Sequence, residues 1–131
     1  MNRKEIKILI ADDDPDYLFQ MKIMLQNAGF QVIAADSQAQ AEEIIASVKP
    51  DLAILDLMME KDDSGFILSY KIKKLYPRVP VILATAVSQE TGISFGFDTE
   101  EDRSWIKADL YLEKGIRQDQ LLMEIEKLLK K

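Results

Sequence analysis

Short apolar runs alternate along this chain with longer stretches in which apolar positions recur every three or four residues. Five runs read as strands: Ile6 to Ala11, Gln31 to Ala35, Asp51 to Asp56, Val81 to Thr85 and Leu110 to Leu112. Near-continuous apolar runs suit parallel strands buried on both faces, and the stretches between them have the helical period. The first helix has Asp14 or Asp16 as its cap and Pro15 in its first turn, and it runs to Ala28. Its inner stripe is Leu18, Met21, Leu25 and Ala28, and Gly29 follows where a left-handed cap is common. The second helix runs from about Gln38 to Val48, with Ala41, Ile44, Ile45 and Val48 at helical spacing, and Pro50 closes the connection. Glu60 to Ser64 reads as a charged turn, and Gly65 precedes a third helix ending near Tyr76. The last helix, Gln118 to Lys130, turns Leu121, Leu122, Ile125, Leu128 and Leu129 inward. This alternation predicts an α/β fold, one domain over residues 1–131, with a parallel sheet and helices on both of its faces.

The connection between the fourth and fifth strands has less pattern. Ser88 to Asp98 contains two glycines and little periodicity, and Asp98-Thr99-Glu100-Glu101 resembles a capping box opening a helix through Ile106 or Lys107. A variable surface connection fits this segment. So does a functional loop anchored by Phe95, Phe97, Trp105 and Ile106.

Polar residues stand directly after four of the apolar runs. Ile8 to Ala11 leads into Asp12-Asp13, Leu52 to Leu55 into Asp56, Val81 to Ala84 into Thr85, and Leu110 to Leu112 into Glu113-Lys114. Open α/β sheets bind ligands beyond the carboxyl ends of their strands. Three carboxylates, a hydroxyl and an ammonium should therefore meet at one sheet edge. Neighbouring carboxylates resist ionising together, and a hard cation removes the conflict. Mg²⁺ takes oxygen ligands, one or two of them carboxylates, along with waters and a phosphate, so Asp12, Asp13 and Asp56 form a candidate Mg²⁺ site; Mn²⁺ is the alternative ion. Asp56 stands isolated in apolar sequence. It reads either as a capping residue in a turn or as a nucleophile that accepts a phosphoryl group. In the second reading Lys114 and the Thr85 hydroxyl each contact a phosphoryl oxygen.

Composition narrows the classes. The chain has 131 residues, 47% hydrophobic and 31% charged, as a soluble globular domain with one core does. It has no cysteine and no histidine, which argues against disulfides, thiolate metal sites, zinc centres and hydrolase triads. Net charge is −6, from 23 acidic and 17 basic residues, so direct nucleic-acid binding is not expected. The basic cluster Lys71, Lys73, Lys74 and Arg78 reads as a solvated helix face. Met1 to Glu5 is too short and polar for a signal peptide, and no apolar run approaches a bilayer span, so no membrane insertion and a cytoplasmic location are expected.

The motifs Leu9-Ile10-Ala11-Asp12-Asp13-Asp14, Asp51-Leu52-Ala53-Ile54-Leu55-Asp56-Leu57-Met58-Met59, Val81-Ile82-Leu83-Ala84-Thr85-Ala86 and Asp109-Leu110-Tyr111-Leu112-Glu113-Lys114 occur in this order. The set resembles the receiver domains of two-component response regulators, over nearly the whole chain. The resemblance implies a doubly wound, flavodoxin-like (βα)5 fold with strand order 2-1-3-4-5. It implies Asp56 as phosphoacceptor. It also implies Mg²⁺ held by Asp13, the Asp56 carboxylate and the Met58 backbone carbonyl, with Asp12 acting largely through water. Thr85 and Lys114 would bind the phosphoryl group, and Thr85 and Tyr111 would form a switch. The implied partners are a sensor histidine kinase or phosphotransfer protein, and a downstream protein or second copy of the chain on the face of strands four, five and the last helix. Such a domain is a regulator that promotes its own phosphorylation and dephosphorylation, not a conventional enzyme.

Three features depart from the family pattern. Gly115 stands where a proline, usually cis, follows the lysine. A cis bond before glycine costs about 2.5–4 kcal/mol, which predicts a trans turn and a differently aimed Lys114. Glu60 replaces a usual proline, with one extra residue before Gly65, and the span from Thr85 to Lys114 is long. Two further readings stand beside the first: a pseudo-receiver that binds protein without being phosphorylated, and a Mg²⁺-dependent phosphohydrolase. Apolar Met58 and Val87 beside the site predict slow phosphoryl loss, and Ser88 to Lys107 is expected to respond most to phosphorylation.

Overall fold

Five strands form one parallel sheet in the order β2-β1-β3-β4-β5. The computed structural model describes residues 2–61, 63–85 and 108–130. A short 3₁₀ turn, Arg3–Glu5, precedes β1 (Lys7–Ala11), α1 (Pro15–Asn27), β2 (Gln31–Ala35), α2 (Gln38–Ser47), β3 (Leu52–Asp56), α3 (Ser64–Leu75), β4 (Val81–Thr85), β5 (Leu110–Glu113) and α4 (Gln118–Leu129). The predicted helix ending at Ile106 or Lys107, together with Val87 and the anchors Phe95, Phe97, Trp105 and Ile106, lies outside the described residues.

Alternation along each strand divides the core into two layers. Leu9, Ala11, Ala53, Leu55, Val81 and Leu83 face α2 and α3, meeting Ala41, Ile45, Phe66, Leu68 and Ile72. Ile8, Ile10, Leu52, Ile54, Ile82 and Ala84 face α1 and α4, meeting Met21, Leu25, Leu121, Ile125 and Leu128. Every residue of β3 is buried, which explains why its sequence is an unbroken apolar run until Asp56. β5 lies at the sheet edge and alternates instead: Leu110 and Leu112 are half-buried, Tyr111 and Glu113 exposed.

Caps set the helix ends. Asp14, not Asp16, is the N-cap of α1: its carboxylate accepts from the Asp16 and Tyr17 amides. Gly29 leaves α1 at φ 104°, a left-handed conformation that glycine adopts without steric cost. α3 starts at Ser64, two residues earlier than a helix that follows Gly65 would, so Gly65 lies within its first turn. There the Gly65 amide donates to the Leu57 carbonyl at 2.9 Å. The helix thus begins in contact with the end of β3, a proximity that excludes a Cβ: one built at Gly65 would press into the Asp56 carbonyl oxygen and lie 2.7 Å from Leu57 Cα.

Carboxylates also tie the opposite, amino ends of the strands. Asp51 accepts from the Lys7 amide and Asp109 from the Val81 amide, each at 2.8 Å. Asp109 is also 2.7 Å from Lys73 Nζ, and Lys71 pairs with Glu42. Two of the four basic residues on and after α3 are therefore ion-paired, while Lys71, Lys74 and Arg78 remain exposed, as a solvated helix face requires.

Candidate metal and phosphoryl site

Strand register brings the predicted residues together. Ala11 pairs with Leu55 and Asp56 with Ala84, so Asp12, one residue past Ala11, stands beside Asp56. Hydrogen bonds carry the pairing past the strand ends: Asp12 N to Ala35 O at 3.1 Å, Leu57 N to Ala84 O at 2.9 Å, Lys114 N to Thr85 O at 2.8 Å. The last bond joins Lys114 to the backbone of Thr85, the tip of β4. The Met58 carbonyl follows two residues after Asp56, and Tyr111 sits on β5 with its side chain exposed.

One carboxylate oxygen from each of Asp12, Asp13 and Asp56 lies within 4.8 Å of the other two. Asp12 and Asp56 are buried and Asp13 is exposed. Lys114 Nζ reaches in, 2.7 Å from Asp12 Oδ2 and 3.3 Å from Asp56 Oδ1, with its side chain only 17% exposed. A surface lysine would not sit this way. The Asp12 contact is an ion pair without hydrogen-bond alignment, and the buried Asp12 Oδ2 accepts no hydrogen bond among the described residues. Asp12 Oδ1 accepts from the Asp14 amide at 2.9 Å.

The electrostatics follow from this crowding. Burial, and then the neighbouring Asp12 charge, push the Asp56 carboxyl up to about 7 from its ordinary 3.8, against the pull of Lys114 and of a hydrogen bond from the Met58 backbone. For Lys114 burial works in the opposite direction, but Asp12 and Asp56 outweigh it and hold the ammonium above its ordinary value. An oxygen-only donor set of three clustered carboxylates, two of them buried and sharing one ammonium, fits a hard divalent cation.

The peptide between Lys114 and Gly115 is trans, since no cis bond occurs among the described residues. The predicted trans turn is present, but the expected misdirection of Lys114 is not: anchored by its own amide on Thr85, the side chain still reaches Asp56. Gly115 has no positive φ, and a Cβ there would meet nothing within 4 Å. Gly115→Ala is expected to stabilise the chain by about 0.4–1 kcal/mol by restricting the unfolded state. A urea midpoint lower than that of the parent chain would contradict this.

Two contributors were not assigned by sequence reasoning. Glu60 places its carboxylate at the start of α2, where it accepts from the Gln38 and Ala39 amides at 2.7 and 3.1 Å. Burial slightly opposes its charge, yet those hydrogen bonds hold its carboxyl below the usual value. It satisfies two of the amides that a helix start leaves unpaired, and Ser37 satisfies a third, that of Gln40. Tyr17 is the other, with its ring beside Lys114. Burial raises its phenol, Lys114 opposes this, and Asp12 and Asp56 add to it. Its spacing four residues before Met21 of the inner stripe was the available signal.

The comparisons agree with this architecture. A family model for the response regulator receiver domain matches residues 8–126. Protein PilH of Pseudomonas aeruginosa is 30% identical over 128 residues, covering 94% of this chain and 97% of PilH. Other curated relatives, transcriptional regulators, are longer: the chain spans 19% of one and 49% of another. A CheY-like receiver structure from Methanospirillum hungatei JF-1 superposes with a TM-score of 0.80 at 25% identity, covering 95% of this chain and 94% of that one. The response regulator TrrA of Thermotoga maritima, solved in complex with Mg(2+)-BeF, superposes at 0.75 with 27% identity, covering 94% and 98%. With the strand order, the carboxylate cluster and the family match in agreement, the chain belongs to the response regulator receiver domain family.

Proposed function

We propose that this receiver accepts a phosphoryl group on Asp56 in a Mg²⁺-dependent reaction and relays the event to a protein partner. The observation that carries the reading is the meeting of Asp12, Asp13 and Asp56 within 4.8 Å, with the Lys114 ammonium 3.3 Å from Asp56. Asp13, the Asp56 carboxylate and the Met58 carbonyl would hold Mg²⁺, or Mn²⁺, with Asp12 acting largely through water. The cation supplies neutralisation, of the carboxylates and of the phosphoryl oxygens.

The protein's own residues do the rest. An ionised Asp56 oxygen attacks phosphorus in line, a new O–P bond forms, and the bond from phosphorus to the donor breaks, its electron pair leaving with the donor. Lys114 and the Thr85 hydroxyl take phosphoryl oxygens. The product is an acyl phosphate, which is sensed by Thr85 at the tip of β4 and by Tyr111 on β5, opposite Leu83. A sensor histidine kinase or phosphotransfer protein is the donor. The readout is a downstream protein or a second copy on the β4–β5–α4 face.

TrrA, a structural relative, was solved with Mg(2+)-BeF, which supports the cation assignment. No helix of the described residues is long and apolar enough to cross a membrane. Direct nucleic-acid contact is not expected, because the chain carries a net charge of −6. A pseudo-receiver would need an incompetent site, and the aim of Lys114 past Gly115 speaks against that. Incubation with acetyl phosphate and Mg²⁺, read by intact mass, should add one phosphoryl group to the parent chain and none to Asp56→Asn. Equal uptake by both would sink the assignment.

A further inference from the structure

Lys114 is held by more than carboxylates. Its Nζ lies over the Tyr17 ring, 4.8 Å from the centroid. Tyr17 occupies the first turn of α1, its amide tied to the Asp14 carboxylate. Tyr17 and Lys114 also line a groove of about 200 Å³ between α1 and α4, together with Met21, Ile116 and Leu121. The residue after the lysine is Gly115, which offers no side chain to brace the four-carbon stem.

The two attractions on Lys114 respond oppositely to charge at the site. Asp12 and Asp56 attract the ammonium only while their own charge is free. A divalent cation among the same carboxylates neutralises them and repels the ammonium, since like charges repel. The face of an aromatic ring attracts an ammonium through its quadrupole, whatever the carboxylates are doing. Without that face, a lysine released by its carboxylates would extend into solvent.

We propose that Tyr17 is a positioning residue for phosphoryl transfer, its ring face keeping the Lys114 ammonium beside Asp56 so that it meets the incoming phosphoryl oxygen. The proposal rests on Asp56 being the phosphoacceptor. The ring does the work, not the hydroxyl. Phenylalanine at this position therefore preserves the effect and leucine loses it.

The test measures initial rates of phosphoryl uptake from acetyl phosphate with Mg²⁺, by intact mass, for the full chain, Tyr17→Phe and Tyr17→Leu, each also in a Lys114→Ala background. Calorimetric Mg²⁺ titration is run alongside. Tyr17→Leu should be about fivefold slower, the factor expected for loss of one partly desolvated cation–π contact. Tyr17→Phe should stay within about twofold of the parent, on the same reasoning. In the Lys114→Ala background Tyr17→Leu should cost nothing further, because the cycle isolates the pair. Mg²⁺ affinity of Tyr17→Leu should not fall. The proposal is overturned by an unchanged Tyr17→Leu rate, by Tyr17→Phe as slow as Tyr17→Leu, or by the same loss without Lys114. Mg²⁺ affinity falling in step with rate also overturns it, since that marks general disorder of the site. A parent chain that takes up no phosphoryl group defeats the functional reading and this proposal together. Normal parental uptake with an indifferent Tyr17→Leu defeats this one alone.

Discussion

Without a divalent cation, the chain is expected to lose stability as pH rises from about 4 to about 7, and Asp56→Asn is expected to remove that loss. In the unfolded chain Asp56 titrates near its ordinary 3.8; in the fold, burial and the Asp12 charge move it to about 7. Below the lower value both states hold the proton, and above the upper value neither does. Between them only the folded state keeps it, so stability from this group is full at low pH and is lost as pH climbs through the folded value. Asparagine mimics the protonated acid and does not titrate. The melting temperature of Asp56→Asn should therefore exceed that of the parent chain by a margin near zero at pH 4 that grows until pH exceeds 7. There the difference should reach about 2–4 kcal/mol, the lower end allowing for the lost Lys114 contact. Thermal melts of both proteins in chelator across this range measure the margin. A constant margin would show that Asp56 is ionised throughout. Added Mg²⁺ should close the gap at pH 8 by stabilising the parent chain only, because the substituted chain has lost a ligand.

Gly65→Ala should cost about 3 kcal/mol or more, roughly 10 °C in Tm, although alanine is ordinarily the better helix residue. The helix preference gains at most about 1 kcal/mol. Against it stands a Cβ pressed into the Asp56 carbonyl oxygen and 2.7 Å from Leu57 Cα, both main-chain atoms that cannot swing aside. Relief requires α3 to withdraw from β3, which breaks the Gly65–Leu57 hydrogen bond and moves the backbone that carries Asp56. Stability and phosphoryl uptake should fall together. Gly115→Ala, whose Cβ meets open space, is the control for glycine replacement as such. A Gly65→Ala chain as stable as its parent would mean that helix and strand are not in close contact here.

The unbroken apolar sequences of β1, β3 and β4 made the buried strands legible, and the polar residue ending each run located the site edge. Asp12, Asp13, Asp56 and Lys114 were legible for the same reason: strand period and parallel pairing fix where a strand tip points. Strand order came from the family resemblance, because periodicity says nothing about which strands are neighbours. Glu60 was visible only as a departure, since its partners Gln38 and Ala39 lie some 20 residues away and no local pattern links them. Tyr17 looked like an ordinary helix residue because its partner comes from the far end of the chain. Asp51 read as the first residue of its strand and Asp109 only as the start of a motif; their bonds to Lys7 and Val81 follow from the register of neighbouring strands.

The clamp made by Glu60 changes what kind of hold the loop after Asp56 is under. A proline at that position would fix a backbone angle permanently. A carboxylate bridging two amides of α2 is a reversible latch: it opens at the cost of two charge-assisted hydrogen bonds and can close again. The start of α2 and the loop carrying Met58 are then linked in one equilibrium. Whatever loosens the helix start releases the loop, and whatever draws the loop toward Asp56 pulls on the helix. In this receiver the second helix, usually read as scaffold, becomes a counterweight to the acceptor loop.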